Sequence, residues 1–274
     1  MVPHRDQADV AGSIDSYLAA VATVHRYHGY AIDRTLLIEP LKAARRQAGP
    51  PRRARALLGL ELQALVAALD PADPRVSRDC LAMLLGWAMA GRSAELVGLD
   101  YLRPGGRAYG GTGFLSREER GLQVTLLSSK ASQITPQELA IPDNEMPSLR
   151  LWLDRWLEHA KVGGGEPLFR PITSRGRILP ARLAADSVAK IVRKRMLAHA
   201  TATGMSETDA VLICKQFSSH SMRRGYCTAA ANARIPLGQI RARSRHSSDA
   251  MLGKYIENAE GWNSSGLEGI GFLT

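Results

Sequence analysis

Residues 75–91, RVSRDCLAMLLGWAMAG, constrain the fold more than any other stretch. From Cys80 onward this helix is apolar around nearly its whole circumference, so it must be buried on most sides. Its longest unbroken apolar run, LAMLLGWAMA (81–90), is far too short to cross a bilayer. The shell around it must therefore come from the protein itself, and the neighbouring segments suit that task. LELQALVAALD reads as a helix ending before PADP. SLRLWLDRWLEHAK is amphipathic, with Leu149, Trp152, Leu153 and Trp156 on one face, and LAADSVAKIVRKRMLAHA (183–200) is again helical. Three further helices are predicted near 219–233, 236–242 and 248–256. Between the helices lies a β-leaning region: Tyr101–Leu102, GLQVTLLSS (121–129) and ITPQELAIP (134–142), where Val124 and Leu126 alternate with polar neighbours. The expected fold class is mainly α with a small antiparallel β-sheet of two or three strands, an α+β domain.

A length of 274 residues accommodates one large domain or two smaller ones. SIDSYLAAVATVHRYHGY reads as one helix beginning near Ser13 and LLIEPLKAARRQ as a second. GPPRRARALLG (49–59) breaks the helical pattern and reads as a linker. The expected organisation is a partial helical unit with its linker at 1–54 and a second domain at 55–274. Two helices alone rarely bury enough apolar area to stand as a domain. GGGEP (163–167) is a flexible break. There is no internal repeat, heptad run or low-complexity tail.

The formal net charge is +10 and the pI near 9.9. Of the 36 basic residues only seven are lysine and the rest arginine. Arginine grips phosphate through a planar fork that lysine lacks, and so basic an excess favours a polyanion, nucleic acid first. A merely basic soluble protein remains an equal alternative on charge alone. Three scattered cysteines, Cys80, Cys214 and Cys227, form no CxxC or Cys/His ligand spacing, which indicates neither a disulfide framework nor zinc. MVPHRDQADV offers no apolar signal region. A soluble, cytoplasmic protein in a reducing compartment is expected, with no membrane association.

The chemistry-bearing residues are sparse and separated. His220 and Arg223 are three apart and share a face in the first turn of a predicted helix, where free N–H groups and the dipole favour an anion. An ordinary capped surface helix would carry the same pair. Arg92 follows directly on the apolar helix and must be paired with Glu95, or aimed at a ligand while Glu95 anchors a neighbour. Lys130 sits at a turn between two predicted strands, either solvated or reaching into a cleft. Tyr255 lies four residues after Met251, on an apolar face that suggests packing. It could instead bring a phenol oxygen beside the arginines, whose field would stabilise the phenolate needed for attack.

In their order and context these segments resemble the tyrosine recombinases, or phage integrases, over roughly residues 60–260. GRSAELVGLD resembles the first arginine box, with Arg92 and Glu95. VTLLSSKASQ resembles the strand–turn–strand carrying the family lysine, Lys130. HSMRRGYCTAAANARIPLGQI resembles the His-x-x-Arg box, and RHSSDAMLGKYIE the last box, with His246 and the nucleophile Tyr255. The resemblance implies a DNA breaking–rejoining catalytic fold. It also implies strand exchange on double-stranded DNA through a 3′-phosphotyrosyl intermediate. Arg92 and Arg223 would clamp the non-bridging oxygens. Lys130 would protonate the departing 5′ oxygen, His220 would act as acid or base near the tyrosine, and His246 would add a hydrogen bond to the phosphate. Glu95 would hold the first box without reacting. No cofactor, metal or ATP is implied, and no Walker-type loop is present in the sequence. Four copies assembling on DNA are implied as well.

Three departures stand out. Met222 replaces the usual leucine of the His-x-x-Arg box, a volume-conserving change. Arg245 stands where glycine commonly precedes the last histidine, at a position suited to an unusual backbone angle or to a further DNA contact. Residues 12–47 resemble only the later part of the family's core-binding domain. The front is therefore expected to be truncated, with a weaker grip on phosphate. A DNA binder that has lost catalysis, or a type IB topoisomerase-like nicking and closing enzyme, are the alternatives. The glycine-rich tail with Trp262 and Phe272 would be either a segment packing on a neighbouring subunit or disordered.

Overall fold

The structure, a computed structural model, describes residues 7–33, 35–48, 53–103, 110–127, 136–253 and 255. Two compact units divide the chain, Met1–Arg53 and Ala54–Thr274. The first holds α1 (Gln7–Tyr27) and α2 (Thr35–Ala48), packed on each other. Asp33 starts α2 by accepting a hydrogen bond from the Thr35 N–H at 2.8 Å. Ile14, Tyr17, Val21 and Val24 recur at helical spacing on α1 yet remain exposed, because one partner helix covers too little of them.

The second unit begins with α3 (Gly59–Ala67), α4 (Pro74–Ala88) and α5 (Ser93–Val97), followed by β1 (Leu99–Tyr101), β2 (Gly113–Glu118), β3 (Gly121–Leu126) and β4 (Gln137–Pro142). It continues with α6 (Pro147–Ala160), β5 (Glu166–Pro167), α7 (Asp186–Ala202), α8 (Glu207–Cys214), α9 (His220–Asn232), α10 (Leu237–Ser244) and α11 (Asp249–Gly253). The apolar helix is α4. Asp73 caps it by accepting from the Arg75 N–H at 2.8 Å, Pro74 opens it, and α3, α5, α6, α7 and α9 pack around it. Its one buried acid, Asp79, is paired with Arg78 and with Arg195 of α7, whose Nε donates at 2.8 Å. That pair fixes α4 against α7. From α6, Trp156 is fully buried and donates its indole N–H to the Leu168 carbonyl at 2.7 Å.

The sheet differs from the sequence expectation. Among the described residues it has five strands in the order β4-β3-β2-β1-β5, and β1 pairs with β2 in parallel, so it is mixed rather than antiparallel. The other pairs are antiparallel. Leu115, Val124 and Leu139 sit opposite one another on neighbouring strands and form a buried row. Two strands are missed in the sequence: β2, GFLSRE, whose two neighbours supply the pairing, and β5, which lies in GGGEP (163–167), expected to be a flexible break, and pairs with β1. Helix α8 was also missed, although Ser206 caps it by accepting from the Asp209 N–H at 3.2 Å.

An extended stretch, 54–58, is tied to the start of α9: Leu57 N–H donates to the Ser221 carbonyl at 2.9 Å, and Trp87 Nε1 donates to the Leu57 carbonyl at 3.1 Å. Gly225 makes this approach possible, since a Cβ there would stand 1.7 Å from the Leu57 oxygen. The three cysteines are buried and free, and burial pushes the Cys80 thiol up to about 12, so it stays protonated. Among the described residues, no helix is long and apolar enough to cross a membrane.

Candidate active site

The site is built where α4 ends. The chain leaving α4 turns through Ala90 in the left-handed region, φ 45°. The negative end of the helix dipole and its unpaired carbonyls collect there. Three arginines take three successive carbonyls. Arg243 Nε donates to Ala88 at 2.7 Å, Arg245 Nη1 to Met89 at 3.1 Å, and Arg223 Nη1 to Ala90 at 2.8 Å. The first turn of α9 and the end of α10 are thereby locked to the same point.

Arg92 stands at the N-cap of α5. Glu95 binds it twice, accepting from its backbone N–H at 2.9 Å and from Nη1 at 2.7 Å. The same carboxylate accepts from Arg245 Nη2 at 2.7 Å. Burial pushes the Glu95 carboxyl up. The charge of Arg245, the Arg92 N–H and the two guanidinium hydrogen bonds outweigh that and hold it below the ordinary carboxylate value. The Arg92–Glu95 pair expected from sequence is thus present, and it is part of a triad with Arg245.

Arg223 is only 1% exposed. Its Nε faces His246 Nε2 at 3.4 Å, and its Nη2 is buried without a hydrogen-bond partner among the described residues. Burial, then the charges of Arg92 and Arg245, lower its pKa to about 10, so it remains a cation at neutral pH. His246 Nδ1 lies 2.7 Å from Ser244 Oγ, whose own proton goes to the Ile240 carbonyl at 2.6 Å. The hydroxyl can therefore only accept from the ring. This puts the imidazole proton on Nδ1 and leaves Nε2 as an acceptor toward Arg223. Burial, then Arg223, Arg92 and Arg245, push the His246 pKa down to about 4, which keeps the ring neutral.

Tyr255 closes the site. Its ring centroid is 4.5 Å from that of His246 and 6.1 Å from that of His220, and the Arg223 guanidinium carbon lies 5.5 Å from it. Its other side packs on the small apolar cluster of Cys227, Ala230, Ile240 and Leu252. The packing expected in the sequence is present, and the ring also lies beside one arginine, Arg223. His220 is on the exposed rim. Partial desolvation, then Arg223 and Arg92, lower its pKa. Beside these groups opens a cleft of about 360 Å³, lined by Gln137, Gly238, Arg241, Arg245, His246 and Ser247.

Arg92, Glu95, His220, Arg223, His246 and Tyr255, from three separate stretches of sequence, thus form one cluster. Lys130 and the tail with Trp262 and Phe272 lie outside the described residues. Sequence reasoning gave no role to Arg243 and Ser244 and left two alternatives open for Arg245. The one visible signal was the density of arginine in RARSRH (241–246), three in six residues. Arg245 does adopt the unusual angle foreseen for it, φ 55°, but its side chain is 1% exposed and points inward, not toward a DNA surface. Among the described residues, no group of three or more His, Cys, Asp or Glu side chains is placed to hold a metal ion.

No protein-family model matches the chain. A curated relative, the integrase/recombinase xerD homolog of Selenomonas ruminantium, is 31% identical over 232 residues, covering 83% of this chain and 61% of the relative. Among solved structures, a XerH site-specific recombinase bound to palindromic difH substrate in a post-cleavage complex is 14% identical. It superposes with a TM-score of 0.52 over 81% of this chain and 54% of that one. The Tn1549 transposon integrase in complex with transposon right end DNA is 12% identical, with a TM-score of 0.50 over 90% of this chain and 81% of that one. At such identities the two structures speak for the fold alone. The chain spans less than two thirds of the curated relative and of the XerH chain.

Proposed function

We propose, for a chain that belongs to the tyrosine recombinase family, that it cleaves and rejoins double-stranded DNA at specific sites through a 3′-phosphotyrosyl intermediate. The observation that carries this function is Arg223: a guanidinium 1% exposed, with an unpaired buried Nη2, under the ring of Tyr255. A buried donor without a partner is costly unless a ligand supplies the acceptor. A phosphate oxygen is the acceptor that guanidinium geometry suits best.

In the reaction, Tyr255 Oη attacks the scissile phosphorus as the P–O5′ bond breaks. Arg92 and Arg223 stabilise the charge on the non-bridging oxygens. His220, unprotonated at neutral pH because its pKa is lowered, takes the phenolic proton, and Lys130 gives one to the departing 5′ oxygen. The step reverses when a 5′ hydroxyl from a second strand attacks the phosphotyrosine. The covalent link keeps the energy of the broken bond, so ATP is not called for. The guanidinium pair supplies the positive charge that a metal would otherwise bring. His246 acts through Arg223, since its Nε2 accepts from that guanidinium. Donating to the phosphate itself would require the proton to move to Nε2. We assign residues 1–54 to a helical DNA-clamping unit and 55–274 to the catalytic domain, with four copies assembling on DNA in a cytoplasmic protein.

The test is covalent capture. The protein and its Tyr255→Phe variant are mixed with a pool of nicked duplexes of randomised core sequence, and denaturing gels are read for protein–DNA adducts. An adduct formed by the wild type and lost in the variant is expected. Binding without an adduct would leave the chain as a catalytically idle binder.

A further inference from the structure

We propose that Arg245 is a positioning residue that aligns the two phosphate-clamping arginines, a role resting on the recombinase function above. Its side chain is 1% exposed and already engaged, so it is not a DNA contact. One nitrogen donates to the Glu95 carboxylate at 2.7 Å, and Glu95 in turn holds Arg92 through two bonds. The other donates to the Met89 carbonyl at 3.1 Å and to the Arg243 carbonyl at 2.7 Å. Met89 lies between the carbonyls held by Arg243 and Arg223. The Arg245 carbonyl also faces Arg92 Nη2 at 3.5 Å. One buried guanidinium therefore joins the α5 arginine, the end of α4 that holds Arg223, and the residue preceding His246.

The position is locally unfavourable. Its backbone sits at φ 55°, which suits glycine, and its Nε is buried without a partner among the described residues. Two such costs at one residue mark a site where the arrangement serves something other than stability. What the arrangement achieves is registration: Arg92 and Arg223 come from segments more than a hundred residues apart in the chain, and two guanidiniums, donors only, cannot bond each other; Glu95 and Arg245 make the link.

The test uses single-turnover capture on the same nicked pool with Arg245→Gly, Arg245→Lys, Arg92→Ala and the Arg245→Gly/Arg92→Ala double variant. DNA affinity and thermal unfolding are measured alongside. Glycine suits the backbone angle, so folding and DNA affinity are expected to persist. The cleavage rate is expected to fall on the order of 10- to 100-fold, the size of effect that small misplacements of reacting groups produce. Arg92→Ala should then cost far less in the Arg245→Gly background than alone, because Arg92 is already out of register. Arg245→Lys, able to reach Glu95 but not both anchors, should restore part of the rate. Cleavage by Arg245→Gly at the wild-type rate, or independent effects of the two substitutions, would overturn the proposal. Should Arg245→Gly fail to fold, Arg245→Lys paired with Arg92→Ala gives the same non-additivity test. If the wild type binds DNA but forms no adduct, the recombinase function fails and the positioning role falls with it.

Discussion

At the scale of single residues, Glu95 is the most exposed to perturbation of all the site's groups, because its carboxylate serves two arginines at once. Breaking a buried pair by removing one partner typically costs about 3–5 kcal/mol, since the other charge stays buried. Glu95→Gln should therefore lower the unfolding free energy by roughly that amount in chemical denaturation, of which a neutral hydrogen bond to the amide restores a part. The Glu95 pKa is lowered in the folded state. Its contribution is full above the ordinary carboxylate value and is lost as pH falls through the lowered folded one. His246 acts in a higher window. The unfolded chain takes up a proton near 6.5 while the folded ring resists until about 4. Stability should thus decline as pH falls across that interval, because the unfolded state binds more protons there. The slope should shrink in His246→Gln without vanishing, since the pKa of His220 is lowered too.

At the scale of elements, close approach and chain direction decide what a substitution does. Gly225→Ala on α9 puts a methyl 1.7 Å from the Leu57 carbonyl oxygen, so α9 and the 54–58 strap must part. A loss of about 2–3 kcal/mol, in the range of overpacked interiors, is expected by thermal or urea unfolding. The opposite sign is expected at Lys161, an exposed residue that ends α6 at φ 48°. Lys161→Gly removes left-handed strain at the price of a more flexible unfolded chain, and should gain about 0.5–1 kcal/mol as a raised Tm. Much at this scale was legible beforehand. The unbroken apolarity of 81–90 identified α4 as central, and the Trp152, Leu153 and Trp156 stripe identified the buried face of α6. Strand β2 was not legible, because its pairing is supplied by β1 and β3 while its own sequence opens on glycines. Nor could the parallel β1–β2 pair be read from alternation, which reports faces but not strand direction. The boxes gave Arg92, Glu95, Lys130, His220, Arg223, His246 and Tyr255 as one site, and all but Lys130, which lies outside the described residues, cluster. The inward role of the Arg245 side chain escaped because its partners, the Met89 carbonyl and Glu95, are neighbours only after folding.

At the scale of the whole molecule, a net charge of +10 carried mostly by arginine is the long-range counterpart of the local site. If the chain grips a duplex through several phosphates, its affinity should fall steeply with salt, on the order of 10³-fold between about 50 and about 200 mM for six or more contacts. Fluorescence anisotropy with a labelled duplex reads this directly, and a flat salt response would argue against a clamp on the phosphate backbone. The central claim concerns the identity of the atom that becomes joined to DNA. The most direct measurement is to digest the captured protein–DNA adduct with trypsin and nuclease and map the modified residue by mass spectrometry. Cleavage after Lys254 frees a peptide that begins at Tyr255. Nucleotide mass on the Tyr255 phenol is the predicted result. Nucleotide on any other side chain, or no adduct from DNA that is demonstrably bound, would contradict the account.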